Sequence, residues 1–297
     1  MVRVSVIIPT RHRNEHLTQC LARLAPGAQS LAASEYEVIV TDDGSKSTAE
    51  PMIREQFPWA RWVAGPRRGP GMNRNNGARH AAGEWLAFTD DDCLPSRDWL
   101  AGYVAAQRAG ADVYEGKTTC EAGVGLLEEA PVNLSGGNLW ACNFMVRAER
   151  FRELGGFDAR FAHWCEDMDF ADRIRRRGLL IEFVSGAVVD HPPRPRPRGW
   201  RAGLRWESRV LLWRAAGNSG SAWAWMPLHL LRVRAGEIRR HRLGWESVVA
   251  AGSAAVEFLA VVAHLSAWDR RYAPRRSAPA GAPLALQPKP ADRSSAS

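Results

Sequence analysis

Glu84-Trp85-Leu86-Ala87-Phe88-Thr89-Asp90-Asp91-Asp92 is the stretch on which the fold turns. Trp85 to Thr89 is apolar, aromatic and β-branched, which reads as a buried strand. It runs directly into three carboxylates. Adjacent carboxylates repel one another unless a cation is present, and their hard oxygen ligands suit Mg²⁺ or Mn²⁺ bridging a diphosphate. An isolated triple Asp is as readily a solvated acidic loop, but its place behind a buried strand argues against that. By alternation Asp90 and Asp92 share one side.

Working outward, the pattern repeats. Tyr36 to Thr41 reads as a strand ending in Asp42-Asp43-Gly44-Ser45, whose Ser45 or Ser47 is placed to cap a helix running towards Phe57. Val4 to Ile8, bounded by Pro9, is a third buried strand, followed by a helix over Glu15 to Leu24 with Leu17, Leu21 and Leu24 on one face. Trp62-Val63 offers a short strand and Asn75 to Gly83 a helix. Strands and helices alternate, so the class is α/β, and two acidic clusters following strands point to one crevice at the carboxyl ends of a sheet. The order of the strands is not legible.

Further along, Ser96 or Asp98 is placed to cap a helix over Trp99 to Arg108, and Val113 to Thr118 alternates as a strand does. After the Gly- and Asn-rich Pro131 to Asn138, Leu139 to Arg147 is extended. A short helix over Ala148 to Leu154 follows, then a longer one over Glu166 to Arg177 ended by Gly178. On the latter, Asp169 with Arg173 and Asp172 with Arg176 stand four apart on the outer positions, and Phe170 and Ile174 face the core. Leu179 to Val184 and Ala187 to Val189 are expected as closing strands.

The chain has 297 residues, 45% of them hydrophobic, enough for a large α/β domain and an appendage. Residues 1–191 are read as the first domain, 192–272 as a basic, Trp-rich helical extension and 273–297 as a disordered tail of Pro, Ala, Ser and Arg. Pro192 to Pro197 alternates Pro with Arg and marks the exit from the first domain. Trp200 to Ala216 and Leu228 to His241 read as basic helices.

The net charge of +8 is uneven, since residues 194–242 carry twelve Arg against only Glu207 and Glu237. Such a stretch seeks an anionic surface. Seven of the thirteen Trp lie from Trp200 onward, and Trp mixed with Arg suits a lipid headgroup region better than nucleic acid. Ser247 to Trp268 is long, mostly apolar and free of Lys and Arg, yet contains Glu257 and His264. Spanning a bilayer, lying in its interface and packing on the protein all remain open for it.

The five Cys (Cys20, Cys93, Cys120, Cys142 and Cys165) have no CxxC or CxH spacing, so neither a zinc site nor a disulfide framework is signalled. The amino-terminal apolar run is too short for a signal peptide. Both features fit a cytoplasmic protein, peripheral at the inner face of the plasma membrane.

Four segments in this order, Val4 to Thr10 (VSVIIPT), Glu37 to Ser45 (EVIVTDDGS), Arg74 to Asp92 (RNNGARHAAGEWLAFTDDD) and Trp164 to Gly178 (WCEDMDFADRIRRRG), resemble family 2 glycosyltransferases. The likeness covers roughly residues 3 to 191. It implies the GT-A fold, a Rossmann-like mixed central sheet flanked by helices, here with a mainly helical C-terminal extension. The implied activity is transfer of a sugar from a nucleotide diphosphate sugar donor to an acceptor hydroxyl, with a divalent metal, Mg²⁺ or Mn²⁺, as cofactor.

The resemblance carries roles residue by residue. Pro9, Thr10, Asp43 and Arg74 surround the nucleotide, with Asp43 accepting from a base N–H. An acceptor-only side chain favours uracil, although thymine and guanine also donate. Asp90 and Asp92 flank the DxD position, with Asp92 the direct metal ligand, Asp91 the middle residue on the donor side, and His191 near the metal or diphosphate. Metal charge there meets that of the leaving diphosphate. Of Glu166 and Asp167, Asp167 is the expected general base, which implies one in-line displacement and inversion.

The chain departs from the family pattern at Arg11-His12-Arg13 and Arg67-Arg68, placed either to contact phosphates or to be solvated. The basic extension points to a lipid-linked or cell-envelope glycan as acceptor. A sugar-phosphate nucleotidyltransferase is disfavoured because no Gly- and Lys-rich loop follows Pro9, and a dehydrogenase because no GxGxxG does. A non-catalytic nucleotide-sugar-binding or membrane-associated domain would need a carboxylate site to be missing, and none is.

Overall fold

A computed structural model describes residues 2–107, 110–162, 164–241 and 244–273. Arg108, at the expected end of one helix, and all of the expected tail except Ala273 lie outside the described residues.

The first half alternates strand and helix: β1 (Val4–Thr10), α1 (Asn14–Leu24), β2 (Tyr36–Asp42), α2 (Glu50–Gln56), β3 (Arg61–Ala64), α3 (Pro70–His80) and β4 (Trp85–Thr89). Then come β5 (Leu94–Pro95), α4 (Trp99–Ala106), β6 (Val113–Thr119), β7 (Glu128–Glu129), β8 (Asn143–Arg147), α5 (Ala148–Glu153), α6 (Glu166–Arg176), β9 (Ile181–Asp190) and β10 (Arg194–Pro195). Eight strands form one mixed sheet in the order β3-β2-β1-β4-β8-β6-β9-β5, while β7 and β10 pair separately.

β1, β2, β3 and β4 are parallel, β8 is antiparallel to both neighbours, and β6 runs parallel to β9. The carboxyl ends of β1, β2, β4 and β9 therefore meet at one edge, which is why residues as distant in sequence as Thr10, Asp43, Asp92 and His191 converge.

Period-two alternation in β1 divides the core. Val4, Val6 and Ile8 pack with α1 through Leu17, Leu21 and Leu24, and with Trp99 and Tyr103 of α4. Ile7 faces the opposite side with an aromatic cluster of Phe88, Phe144, Phe151, Phe157 and Phe170. Phe170 belongs to α6, so this cluster fixes the helix that carries Glu166 and Asp167; its ring centroids lie 5.2 Å from Phe157 and 5.3 Å from Phe151. Across β1, α3 sits so close that a Cβ on Gly77 would stand 2.6 Å from Ile7 Cγ2.

Several local expectations change. Neither Ser45 nor Ser47 caps α2; Asp42 does that work from the end of β2, its Oδ2 accepting the Ala49 N–H at 2.6 Å and its Oδ1 that of Gly44 at 2.7 Å. The α3 helix starts at Pro70 rather than Asn75 and ends at His80, because Pro is well tolerated in a first helical turn. The two closing strands are one, β9, whose pairing with β6 slips at Gly116/Lys117 through an irregularity. Asp169 does pair with Arg173 and Asp172 with Arg176, but Asp169 is buried rather than outward-facing.

The remaining chain is helical: α7 (Trp200–Leu204), α8 (Trp206–Ala215), α9 (Met226–Arg239) and α10 (Trp245–Arg271). The expected helix over Trp200 to Ala216 is split at Arg205, where i→i+3 bonds replace the helical ladder and the guanidinium reaches Glu129 at 2.9 Å. The last three helices share a core of Trp206, Val210, Met226, Leu230, Val261, Leu265 and Trp268. By length and composition α10 is apolar enough to cross a membrane. One of its faces nonetheless packs on the protein, around a buried Glu257 that accepts from Trp206 Nε1 (2.6 Å) and Arg234 Nη2 (2.6 Å).

Candidate active site

At the ends of β1 and β2, Pro9 stands opposite Thr41 and Thr10 opposite Asp42. The next residue, Asp43, donates its N–H to Thr10 O at 2.9 Å, which turns the buried side chain towards the loop before α3. Its Oδ1 accepts the Arg67 N–H at 2.8 Å, and burial raises its carboxyl above the ordinary range against the Arg67 and Gly69 amides. The loop passes so near that a Cβ on Gly65 would lie 2.2 Å from Asp43 Oδ1.

The three Asp after β4 are held differently. Asp90 is ion-paired with the buried Arg74, whose Nη1 also donates to Glu166 Oε1 at 2.9 Å. Arg74 therefore links the acidic turn to the start of α6, lying over the Phe157 ring at 5.8 Å. Asp91 is buried and points back to β1, where Thr10 Oγ1 donates to Oδ2 at 2.7 Å and Arg13 pairs with Oδ1 at 2.9 Å. Burial, against Arg13, pushes its carboxyl up to about 7.

Asp92 Oδ2 takes Arg13 Nη2 at 2.5 Å, while the buried Oδ1 has no hydrogen-bond partner. What faces that oxygen is His191 Nε2, at 3.4 Å. His191 Nδ1 lies 2.9 Å from Pro192 O, which can only accept, so Nδ1 carries a hydrogen and, in the neutral ring, Nε2 presents a lone pair. Two acceptors facing each other, one orphaned and buried, fit a cation. Cys93 Sγ completes a cluster whose ligand atoms all lie within 4.8 Å of one another. These donors suit a divalent metal.

At the start of α6, Cys165 adopts a left-handed conformation (φ +69°), unusual for a residue with a Cβ. His12 and Arg67 do the same in the loops after β1 and before α3, so the described non-Gly residues with positive φ all border this site. Glu166 is buried and taken up by Arg74. Asp167 is partly exposed, its Oδ1 accepting the Met168 N–H at 2.8 Å and its Oδ2 the Ala141 N–H at 3.4 Å. Burial and then the Glu166 carboxylate push its pKa up to about 7, against the pull of Arg74. A carboxylate of that pKa, ion-paired with no side chain among the described residues, has the character of a general base near neutral pH.

All the residues singled out in the sequence thus lie at one sheet edge, but not in one contact group. Asp43 sits on the β2 side, Asp92 with His191 at the centre, and Asp167 beyond Arg74. Sequence reasoning missed two members. Arg13, half-buried, is not free but closes the Asp91-Asp92 pair, and Cys93 adds a thiol to the metal-type cluster. Its adjacency to Asp92 was the available signal. For Arg13 there was none, because the Asp partners lie some eighty residues away in sequence.

Residues 5–131 match the model of glycosyl transferase family 2, and residues 126–192 that of the N-terminal domain of galactosyltransferase. The match to glycosyl transferase family 2 thus lies over the strands and loops that build the site, up to residue 131. Glycosyltransferase AglE of Haloferax volcanii is 28% identical to this chain over 209 residues, covering 65% of this chain and 67% of its own. Validoxylamine A glucosyltransferase of Streptomyces hygroscopicus subsp. limoneus is 26% identical over 221 residues, covering 59% and 48%. Pre-mycofactocin glycosyltransferase of Mycobacterium tuberculosis is 29% identical over 223 residues, covering 67% and 44%. The chain thus spans between 44% and 67% of the length of these relatives.

In three dimensions it resembles the crystal structure of S. aureus TarS 1–349 in complex with UDP-GlcNAc, with TM-score 0.59 and 18% identity over 91% of this chain and 89% of that one. That likeness shows the fold, a GT-A-type mixed sheet flanked by helices with a helical C-terminal region.

Proposed function

We propose that this chain transfers a sugar from a nucleoside diphosphate sugar to an acceptor hydroxyl. The observation that carries the reading is the orphaned Asp92 Oδ1 facing His191 Nε2, with the Asp43 carboxylate on one side and that of Asp167 on the other. Pro9, Thr10, Asp43 and Arg74 border the donor nucleotide. Asp43 offers an acceptor to a base N–H, which favours a UDP-sugar. Asp92 and His191 hold a divalent metal, with Asp90 on its donor side; when bound, it supplies positive charge to the departing diphosphate.

Asp167 takes the proton of the acceptor hydroxyl as that oxygen attacks the anomeric carbon opposite the leaving group, so the configuration inverts. Glu166 holds Arg74 and raises the Asp167 pKa. Residues 1–191 are the catalytic domain and 192–272 the helical extension. Sugar-phosphate nucleotidyl transfer, the other reading of such a site, has no support from the family match.

The extension favours a membrane-surface location with a lipid-linked or cell-envelope acceptor. Val248, Val256 and Leu259 of α10, Trp200 and Leu204 of α7, and Trp223 are exposed, while the opposite face of α10 is committed to Glu257. Arg270 and Arg271 end the apolar stripe. This is the pattern of a helix lying in an anionic headgroup layer on the cytoplasmic side.

Screening UDP-, GDP- and TDP-sugars for thermal stabilisation with and without Mn²⁺ tests the reading. Stabilisation by a UDP-sugar that depends on the metal is expected; absence of a shift with every nucleotide sugar would overturn it.

A further inference from the structure

Between the catalytic domain and the helical extension lies a cavity of about 400 Å³ that the roles above leave unused. One wall is the outer face of α6, from Met168 to Arg175, and the loop ending in Trp140; the other is α8 and α9 with Trp213 and Trp225. Two lining residues, Met168 and Trp140, are chain neighbours of the proposed base and of its hydrogen-bond donor. Met168 follows Asp167, and Trp140 precedes Ala141, whose N–H donates to Asp167 Oδ2.

Its chemistry is specific. Three indoles give flat apolar surfaces of the kind on which the C–H faces of sugar rings rest. Two buried donors in the wall, Trp225 Nε1 and Arg209 Nε, have no hydrogen-bond partner. Orphaned donors in a cavity wall are expensive unless a ligand satisfies them. Arg209 lies over the Trp164 ring at 4.8 Å, and Arg175 reaches only Gly137 O at 3.5 Å. Among the described residues neither guanidinium has a carboxylate partner, and Asp172, the carboxylate in the lining, is taken up by Arg176. The cavity is therefore aromatic, rich in donors and cationic.

We propose that this cavity is the acceptor subsite and that it takes a sugar bearing an anionic group, either a carboxylate or a phosphate. The proposal rests on the glycosyl-transfer reading and names the substrate class it left open. Trp213, Trp225 and Trp140 hold the ring, Arg209 and Arg175 hold the anion, and Trp225 Nε1 donates to a sugar oxygen. A hydroxyl at the Met168 end of the ligand then falls beside Asp167.

Saturation-transfer NMR on the full chain, loaded with UDP and the diamagnetic Mg²⁺, tests it with two matched pairs. Methyl glucuronide against methyl glucoside reads the carboxylate, and glucose 6-phosphate against glucose reads the phosphate. One charged member is expected to bind about tenfold more tightly than its neutral partner, as a charge-assisted contact allows. The member that does so identifies the anion.

Arg209→Gln should abolish the preference and Arg209→Lys retain part of it. Arg175→Gln, at an exposed position where folding is not at stake, should weaken it. Equal binding of charged and neutral partners, or a preference that survives Arg209→Gln, overturns the proposal. Binding of UDP is read separately by thermal shift. If UDP binds and no charge preference appears, this inference alone fails; if UDP does not bind, the glycosyl-transfer reading fails and carries this one with it.

Discussion

His191 Nε2, at the end of β9, faces the buried Oδ1 of Asp92, after β4, across 3.4 Å. Neither atom has a hydrogen to offer the other in the neutral tautomer fixed by Pro192 O, so the pair gains from a cation between them. Mn²⁺ or Mg²⁺ without nucleotide should therefore raise the melting temperature, by an increment equivalent to about 2.7 kcal/mol at a hundredfold excess over Kd. Asp92→Ala and His191→Ala should each remove that increment. Unchanged stabilisation in both variants places the metal elsewhere.

The raised Asp167 pKa makes a signed prediction for rate. The base form exists above about 7, so kcat/KM should climb as pH rises through that value and then level. Because the Glu166 carboxylate contributes to the shift, Glu166→Gln should move the rising limb to lower pH. A limb that stays in place in this variant contradicts the assigned coupling.

The same group makes a signed prediction for stability. A carboxyl near 3.9 in the unfolded chain and about 7 in the folded one stabilises the fold fully below about pH 4 and loses that contribution as pH rises through about 7. Asp167→Asn should thus gain stability relative to wild type between pH 5 and 8. Calorimetry over that range checks it, and parallel melting curves would count against the shift.

Much of the fold was legible because β1, β2 and β4 are continuous apolar runs ending in turn-forming or acidic residues, signals that need no tertiary context. The α6 ion pairs at i,i+4 were legible for the same local reason. What depended on distant partners was not. Asp42 rather than a Ser caps α2 because the end of β2 delivers a carboxylate to Ala49 N, and Arg13 meets Asp91 and Asp92 only once β1 and β4 lie side by side. Glu257, which counted against a membrane span, makes sense only with Arg234 and Trp206 in place.

The donor side is tested by packing. Gly65→Ala drives a Cβ into Asp43 Oδ1 and Asn73 Oδ1, at 2.2 and 2.5 Å, and must displace the carboxylate. It should weaken UDP binding about as much as Asp43→Ala does, roughly ten- to a hundredfold, the loss of a buried charge-assisted hydrogen bond. Calorimetric titration of both variants checks this, and wild-type affinity in Asp43→Ala removes the residue from the nucleotide site.

In the extension, Glu257→Ala leaves the buried Trp206 Nε1 without its acceptor and Arg234 with Glu237 as its remaining carboxylate, and should cost about 1–3 kcal/mol in folding of the helical region, the penalty for an unsatisfied buried donor. Leu259→Glu on the exposed face of the same helix should leave the melting temperature near wild type yet abolish co-sedimentation with anionic vesicles. Retained vesicle binding in Leu259→Glu would show that this face does not meet the bilayer.

The most direct test of the central claim is release of nucleoside diphosphate from a UDP-sugar with Mn²⁺, compared between wild type and Asp167→Asn at matched donor occupancy. The expected result is donor binding unchanged within a few-fold and turnover reduced by a factor of about 10² to 10⁴, the ordinary contribution of a positioned general base. Turnover by Asp167→Asn at the wild-type rate would contradict the assignment of Asp167 as the base.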